Sequence, residues 1–299
     1  MSHSPATTHT LTQVSDKVAV NLDGPAKTML TTLYLKALDA DLERPVLGDR
    51  YAREAVARLD LDWRELGVGA GWAPLCTVRT AQYDIWARRF LAAHPYCTVV
   101  HLGCGLDPRV FRIDPGPDVE WYDVDFPEVI ALREQVYPAR PHYHLTPSSA
   151  TDPTWLDRIP ADRPVLFIAE GISMYLTEDQ GIELLRHVVD RFPRGEVQID
   201  FFNWLAIKSQ KTQTLVRNSN STLYWAVNSP KDILSRVPGI RLKESATFFD
   251  ASTFSRVTAR YRAVKRAARM APALRKAAQY HVYEFGSPGS PGSPGSPGS

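Results

Sequence analysis

Short apolar runs alternate with helical stretches between residues 98 and 202, and this alternation restricts the fold more than any other feature of the sequence. Four runs have the length of strands and are rich in β-branched and aromatic residues, namely Thr98–Leu102, Val119–Val124, Pro164–Ala169 and Glu196–Phe202. Helical stretches such as 128–137 and 177–192 lie between them. Strands that alternate with helices form a mostly parallel sheet that is covered on both faces. The sequence therefore predicts an α/β doubly wound sheet.

The rest of the chain divides into segments that differ in composition and hydrophobic pattern. Residues 1–15 are polar and are expected to form a flexible tail, whereas residues 16–95 have apolar side chains at helical spacing and are expected to form a helical extension. The α/β domain is expected to span residues 96–285, with a cap insertion at about 205–235. Residues 286–299 repeat Gly-Ser-Pro without an apolar residue, which is typical of a linker or a tag.

Composition excludes several classes of protein. The 35 basic and 33 acidic residues leave a net charge of +2, which is too balanced for a protein that binds nucleic acid or a membrane surface. The 3 cysteines form no CxxC pair, and the 8 histidines show no metal-ligand spacing, so we expect neither disulfides nor a metal. No apolar run is long enough to span a membrane, and the polar N-terminal residues have no apolar core of the kind expected in a signal peptide. These features predict a cytoplasmic protein.

A glycine loop follows the first predicted strand. Gly103 and Gly105 allow the backbone to turn tightly and to approach a ligand without a Cβ in the way. Asp107 can then cap a helix that begins at Pro108. Because Pro108 occupies the position of the third glycine in a dinucleotide fingerprint, the complete GxGxxG of NAD enzymes is absent. An NAD-dependent oxidoreductase is therefore an alternative that the sequence disfavours.

An acidic residue follows the second predicted strand. Asp125 comes 20 residues after Gly105, the spacing at which a carboxylate accepts hydrogen bonds from the two hydroxyls of an adenosine ribose. Asp123 lies on the same face of the strand and remains open, although the position before Phe126-Pro127 favours Asp125. The loop and the acid together predict a nucleoside-containing ligand at the carboxyl ends of the strands.

Three motifs, taken in order, resemble the leucine carboxyl methyltransferase family. They are Gly103-Cys-Gly-Leu-Asp-Pro-Arg109, Asp123-Val-Asp-Phe-Pro127 and Ala169-Glu-Gly-Ile-Ser-Met-Tyr-Leu176. The chain is similar in particular to the bacterial small-molecule branch, the tetracenomycin polyketide type. The resemblance implies a class I methyltransferase, which is a Rossmann-like, seven-stranded, mostly parallel sheet with an N-terminal helical extension and a helical cap. It also implies S-adenosylmethionine as the cofactor.

The resemblance assigns roles to particular residues. Arg79 would hold the methionyl carboxylate of the cofactor, and Gly103 and Gly105 would pass beneath its methionyl and ribose parts. Asp125 would bind the ribose hydroxyls, and Glu170 would lie near the methionyl amino group or the mouth of the substrate pocket.

The adenine position departs from the family pattern. Ser149 and Ala150 stand where the family usually has Asp-Leu near the adenine amino group. A serine hydroxyl is a weaker acceptor than a carboxylate, and Asp152 is the nearest acid that could compensate.

The acceptor is less well defined. The resemblance implies an O-methyltransferase that acts on a carboxylate or a hydroxyl of a small, polyketide-like metabolite. Tyr175, His144 and Asn203 are candidates for the group that acts on it. Residues 255–276 carry eight basic residues and no acidic one, as in a solvated helix face or a surface that attracts an anionic substrate or an acidic partner. Methylation of a protein C-terminus and a non-catalytic cofactor-binding module remain open, as does a monomer against a homodimer.

Overall fold

Seven strands form the central sheet of the computed structural model, which describes residues 17–286 apart from 21, 23–24, 153, 213–221, 258 and 269. A separate pair of two-residue strands, β1 (Val18–Ala19) and β2 (Leu59–Asp60), precedes them. The strands of the central sheet are β3 (Cys97–Leu102), β4 (Val119–Asp125), β5 (Tyr143–Pro147), β6 (Val165–Ala169), β7 (Gly195–Phe202), β8 (Ile240–Thr247) and β9 (Ala278–Phe285).

The strand order in this sheet is β5-β4-β3-β6-β7-β9-β8. The first five strands in that order are parallel, and β9 is antiparallel to both of its neighbours. The order reverses between β3 and β6, and a sheet of this kind binds its ligands beyond the carboxyl ends of the strands at that point. The predicted α/β class and the seven-stranded, mostly parallel sheet are confirmed.

Helices cover both faces of the sheet. In chain order they are α1 (Pro25–Ala40), α2 (Arg50–Arg58), α3 (Pro74–Ala93), α4 (Arg109–Ile113), α5 (Pro127–Val136), α6 (Thr154–Asp157), α7 (Glu178–Arg191), α8 (Trp204–Lys208), α9 (Pro230–Leu234), α10 (Ala259–Ala268) and α11 (Pro272–Arg275). The capping box that predicts the start of α7 is present, because Thr177 Oγ1 accepts from the Gln180 amide and Gln180 Oε1 accepts from the Thr177 amide.

Two apolar layers hold the helices on the sheet. On one face, Phe167 and Phe201 pack in a cluster with Val188 of α7, and all three side chains are buried. On the other face, Trp86 of α3 packs in a cluster that includes Ile168. Each fully buried side chain of this size contributes about 1.5–3 kcal/mol. The layers fix α3 against the sheet, and α3 carries Arg79 to the carboxyl ends of the strands.

The structure adds to the sequence-based assignment in two places. The sequence does not predict the strand β5, and the short pair β1 and β2 lies within an extension that it predicts to be mostly helical. The expected tail at 1–15 lies outside the described residues, as do 287–299 of the expected linker and 213–221 of the expected cap. The described parts of the cap region include α8 and α9, and the basic segment contains α10 and α11. No helix in the described ranges has the length and hydropathy needed to cross a membrane.

Candidate active site

A cavity of about 360 Å³ lies beyond the carboxyl ends of β3, β4 and β6, where the strand order reverses. All seven residues that the sequence assigns to cofactor binding line this first cavity, namely Arg79, Gly103, Gly105, Asp125, Ser149, Ala150 and Glu170. They come from α3, from the last residue of β4 and from the segments that follow β3, β5 and β6, so only the fold brings them together.

The glycine loop adopts a conformation that other residues rarely take. Gly103 has a φ of 64° and Gly105 a φ of 52°, both in the left-handed region. A Cβ on Gly105 would lie 3.0 Å from the Cβ of Met29, and one on Gly103 would lie 2.8 Å from Cδ1 of Ile172. The loop is thus closely packed between α1 and the segment after β6, and its backbone forms part of the cavity wall.

The two aspartates of β4 have different surroundings. Asp125 lines the cavity, and its carboxylate accepts hydrogen bonds from the backbone amides of Gly105 at 2.7 Å and Phe126 at 2.8 Å. Burial raises the pKa of Asp125, and these two amides oppose the shift. Each carboxylate oxygen retains a lone pair for a ligand hydroxyl. Asp123 is instead fully buried against Arg133, so Asp125 is the acid that faces the cavity.

The segment after β5 forms another side of the cavity. Ser149 Oγ accepts from the Thr151 amide at 3.2 Å and lies 2.9 Å from Thr151 Oγ1. Asp152 is exposed, accepts from the Thr154 amide at 3.0 Å and is not part of the lining. Asp152 therefore does not replace the carboxylate that the family usually has at Ser149.

Glu170 is held by three donors. Its Oε1 accepts from Arg79 Nε at 2.9 Å and from Thr80 Oγ1 at 2.7 Å, and its Oε2 is paired with Arg109. Burial alone would raise the pKa of Glu170, but Arg109 and Arg79 outweigh it and hold this pKa well below its usual value. Glu170 is therefore an ionised anchor for two arginines and a poor general base.

Residues that the sequence did not single out extend this ion network. Lys36 Nζ of α1 lies 2.9 Å from Asp107, and both residues line the first cavity. Burial would raise the pKa of Asp107, but Arg112 and Lys36 outweigh it and hold the pKa well below its usual value.

His101 also lines the cavity and lies between Asp123 and Arg109. Its Nδ1 is 3.2 Å from Asp123 Oδ1, and its Nε2 is 3.2 Å from Arg109 Nη1. Since a guanidinium only donates, His101 Nε2 accepts and Nδ1 carries the proton.

Asp200 at the carboxyl end of β7 is a further acid of the site. Its Oδ2 lies 2.7 Å from Arg79 Nη1, and its Oδ1 accepts from the Gly171 amide at 2.6 Å. Burial raises the pKa of Asp200, and Arg79 opposes this shift. Arg79 is thus clamped between two buried carboxylates, those of Glu170 and Asp200.

A second cavity of about 380 Å³ adjoins the first. Five residues line both cavities, namely Thr28, Thr32, Arg79, Gly171 and Tyr175. Most of the other side chains in the second lining are apolar or aromatic, including Leu75, Met174, Phe202, Leu223, Phe248, Phe249, Tyr261, Val264, Leu274 and Tyr280. Among the residues that the structure describes, Asp200 and Arg275 are the charged ones that line the second cavity and not the first.

The three candidates for a catalytic group lie in different places. Tyr175 lines both cavities. His144 is exposed on β5, where it stacks on Tyr122 and contacts Glu120 at 2.7 Å. Asn203 caps α8 and donates to the carbonyl of Ala273 at 2.7 Å. Neither lines the first or the second cavity, so Tyr175 is the candidate that the fold brings to the site.

Within the described part of the chain, no group of three or more His, Cys, Asp or Glu side chains could hold a metal ion.

The strand order, the glycine loop after β3 and the carboxylate after β4 define a class I methyltransferase. Solved structures agree with this fold. A protein of Thermobifida fusca thought to be a methyltransferase superposes with a TM-score of 0.56 at 15% identity, over 85% of this chain and 94% of that one. A DUF574 family protein of Streptomyces avermitilis gives a TM-score of 0.54 at 13% identity, over 85% and 97%.

Sequence relatives identify the family. Residues 17–189 match the leucine carboxyl methyltransferase family, and the chain belongs to this family. It is 41% identical over 232 residues to the tetracenomycin polyketide synthesis O-methyltransferase TcmP of Streptomyces glaucescens. The aligned stretch covers 78% of this chain and 86% of that protein. The S-adenosylmethionine-dependent methyltransferase dpfgK of Gibberella zeae is 32% identical over 255 residues, 77% and 84% of the two chains. The chain is therefore an S-adenosylmethionine-dependent methyltransferase, and the oxidoreductase alternative is excluded.

Proposed function

We propose that the first cavity binds S-adenosylmethionine, that the second binds the acceptor, and that the enzyme methylates a carboxylate of a small, aromatic, polyketide-like metabolite. Two adjoining cavities of about 360 and 380 Å³ support this division, because cofactor and acceptor must meet without overlapping. The aromatic lining of the second cavity supports a flat acceptor. The relative TcmP, described as a polyketide O-methyltransferase, is consistent with this class of acceptor.

The first cavity fits the cofactor by the chemistry of its lining. Gly103 and Gly105 present backbone without a Cβ, and Asp125 presents two carboxylate oxygens with lone pairs for the ribose hydroxyls. Arg79 and Lys36 supply positive charge for the methionyl carboxylate, and Glu170 supplies negative charge for the amino group. When bound, S-adenosylmethionine supplies an electrophilic methyl group on a sulfonium.

The residues that line both cavities support a position for methyl transfer between the two. Thr28, Thr32, Gly171, Tyr175 and Arg79 border both cavities, so the acceptor oxygen must approach between them. Thr32 Oγ1 donates to the carbonyl of Met29 in its own helix at 2.9 Å. Tyr175 and Thr28 also place hydroxyls at the crossing point, and the Tyr175 hydroxyl can donate to an acceptor oxygen. Holding this oxygen in line with the methyl group contributes up to about 7–11 kcal/mol in well-oriented systems.

The described lining of the second cavity holds no histidine, and its one carboxylate, that of Asp200, is already paired with Arg79. This composition of the lining favours a carboxylate acceptor and carries the proposal. Burial raises the pKa of each of its four weakly acidic side chains, which therefore stay protonated at neutral pH; they are Cys76, Tyr175, Tyr261 and Tyr280. Asp200 holds Arg79 and the Gly171 amide. The described lining thus offers donors and no free base. A carboxylic acid with an ordinary pKa of about 4 is already ionised and needs none.

Product analysis tests this proposal. Aromatic acids and phenols of matched size are incubated with the enzyme and labelled cofactor, and the products are treated with mild alkali. We expect a methyl ester that alkali cleaves, formed at a rate that is independent of pH between about 6 and 8 because no base is titrated. Tyr175→Phe should reduce this rate by about tenfold, the value of one neutral hydrogen bond.

Two results would contradict the proposal. An alkali-stable methyl ether, formed with an apparent pKa between about 6 and 8, would show base-assisted methylation of a hydroxyl. Methylation of peptides with a free C-terminus in preference to aromatic acids would assign the second cavity to a protein acceptor.

A further inference from the structure

Arg275 places a cation in the part of the second cavity that the first cavity does not share. The residue ends α11, and 45% of its side chain is exposed, so it lies where the cavity meets solvent. The residues around this part of the lining are apolar or aromatic, among them Phe249, Val264 and Leu274. A guanidinium in such a lining is a specific polar contact for whatever the cavity binds.

Much of the hydrogen-bonding capacity of Arg275 is free. Its Nη2 donates to Asp250 Oδ1 at 2.7 Å, and Thr247 Oγ1 donates to the other oxygen of Asp250 at 2.7 Å. Among the described residues, Nε and Nη1 of Arg275 have no hydrogen-bond partner. A guanidinium has five donors in a planar fork and can hold a second carboxylate alongside the first. Arg79, the other cation of this cavity, is instead clamped between Glu170 and Asp200.

The charge around Arg275 also favours an anion. Residues 255–276 contain eight basic residues and no acidic one. Lys265 of this segment lies over the ring of Phe254 and donates to the carbonyl of Phe249, a residue of the cavity lining. The positive field of such a segment concentrates anions at the mouth of a neighbouring cavity.

We propose that Arg275 is an anion-binding residue of the acceptor cavity, so that the acceptor carries a second anionic group besides the carboxylate that is methylated. This inference rests on the proposed function, because it takes the second cavity as the acceptor site. The two anionic groups would lie on different sides of a flat aromatic body, the reacting one beside Tyr175 and the other at Arg275.

Binding measurements with two probes test the inference without methyl transfer. The probes are an anthracene dicarboxylate with its carboxyl groups at opposite ends and an anthracene monocarboxylate, titrated into the full chain with S-adenosylhomocysteine present. We expect the dicarboxylate to bind about tenfold more tightly, as one half-exposed charge-assisted contact allows. Arg275→Ala should remove this preference and leave the affinity for the monocarboxylate unchanged.

Two further variants separate anion binding from a structural role. Asp250→Asn removes the carboxylate that competes for Arg275, so the preference for the dicarboxylate should increase. Lys276→Ala removes a neighbouring cation outside the lining and should leave the preference unchanged. If Arg275→Ala and Asp250→Asn instead weaken the binding of both probes alike, the ion pair only holds α11 against the turn after β8. The proposal is then wrong.

The outcome for the wild-type protein distinguishes this inference from the proposed function. Equal affinity for both probes would overturn the role of Arg275 and leave an aromatic acceptor cavity. Binding of neither probe would overturn both.

Discussion

Arg79 Nη1 lies 2.7 Å from Asp200 Oδ2, and this buried ion pair ties α3 to the end of β7 in the wall of the second cavity. Arg79 also neutralises Glu170, so its loss would leave two buried carboxylates short of a cation. We expect Arg79→Ala to lower the free energy of unfolding by about 3–5 kcal/mol, measured by urea denaturation. The exposed pair of Arg89 with Glu244 provides the control, since Arg89→Ala should cost less than about 1 kcal/mol. Equal losses in the two variants would contradict this.

Substitution of the two aspartates of β4 should have different effects, one on cofactor affinity and the other on stability. Asp125→Asn removes the charge that faces the first cavity, so we expect S-adenosylmethionine to bind about ten- to hundredfold more weakly by calorimetry, with little change in melting temperature. Asp123→Asn leaves Arg133 without its buried counter-ion and should lower the free energy of unfolding by about 3–5 kcal/mol. A variant of Asp125 with normal affinity would remove this residue from the proposed cofactor site.

A methyl group on Gly105 tests the glycine loop. The residue has a φ of 52°, and an added Cβ would lie 3.0 Å from Met29. We expect Gly105→Ala to destabilise the fold by about 1–2 kcal/mol and to weaken cofactor binding, because the loop must shift. Gly116→Ala is the matched control, since a Cβ at Gly116 meets no atom within 4 Å. If both variants bind the cofactor as the wild type does, Gly105 serves only the turn.

His281 should make stability depend on pH. Burial lowers the pKa of His281 to about 4, from an ordinary value of 6.5, so the unfolded chain binds a proton that the folded chain excludes. The stabilisation from this neutral ring is fully present above pH 6.5 and is lost as the pH falls towards 4. Between pH 7 and pH 5 we expect the free energy of unfolding to fall by about 2 kcal/mol from this residue. His281→Gln should remove that part of the slope in urea denaturation, and an identical slope in the variant would contradict the assignment.

The sequence predicts the fold where burial makes the pattern simple. β3 and β6 are fully buried, and such strands appear as continuous apolar runs. β5 is an edge strand that is nowhere fully buried, and its residues Tyr143–Pro147 mix aromatic, polar and proline side chains without a run. Because its side chains are not packed in the core, they carry no regular hydrophobic pattern, and the sequence does not predict this strand.

The same contrast holds for the site. Strand-end residues such as Gly103, Asp125 and Glu170 are predictable because parallel strands bring their carboxyl ends to one edge. Asp200 lies two residues before the end of the predicted strand Glu196–Phe202, and a search that included the last residues of each strand towards the carboxyl edge could have found it. Lys36 gives a weaker signal as a lysine among the buried residues of α1. Lys36 pairs with Asp107 only because α1 packs on the glycine loop, and the local spacing of residues in the sequence does not encode this tertiary contact.

The division of the two linings has a consequence for how this enzyme can diverge. The turn after β8 and the helices α10 and α11 contribute to the second cavity and not to the first. Substitutions at Phe248, Phe249, Tyr261 or Leu274 can therefore reshape the second cavity while the first keeps its charges and its glycine loop. Under the proposed division of roles, substitutions within this part of the chain can change which acceptors bind while the cofactor site is kept. Evolution and engineering can both use this route.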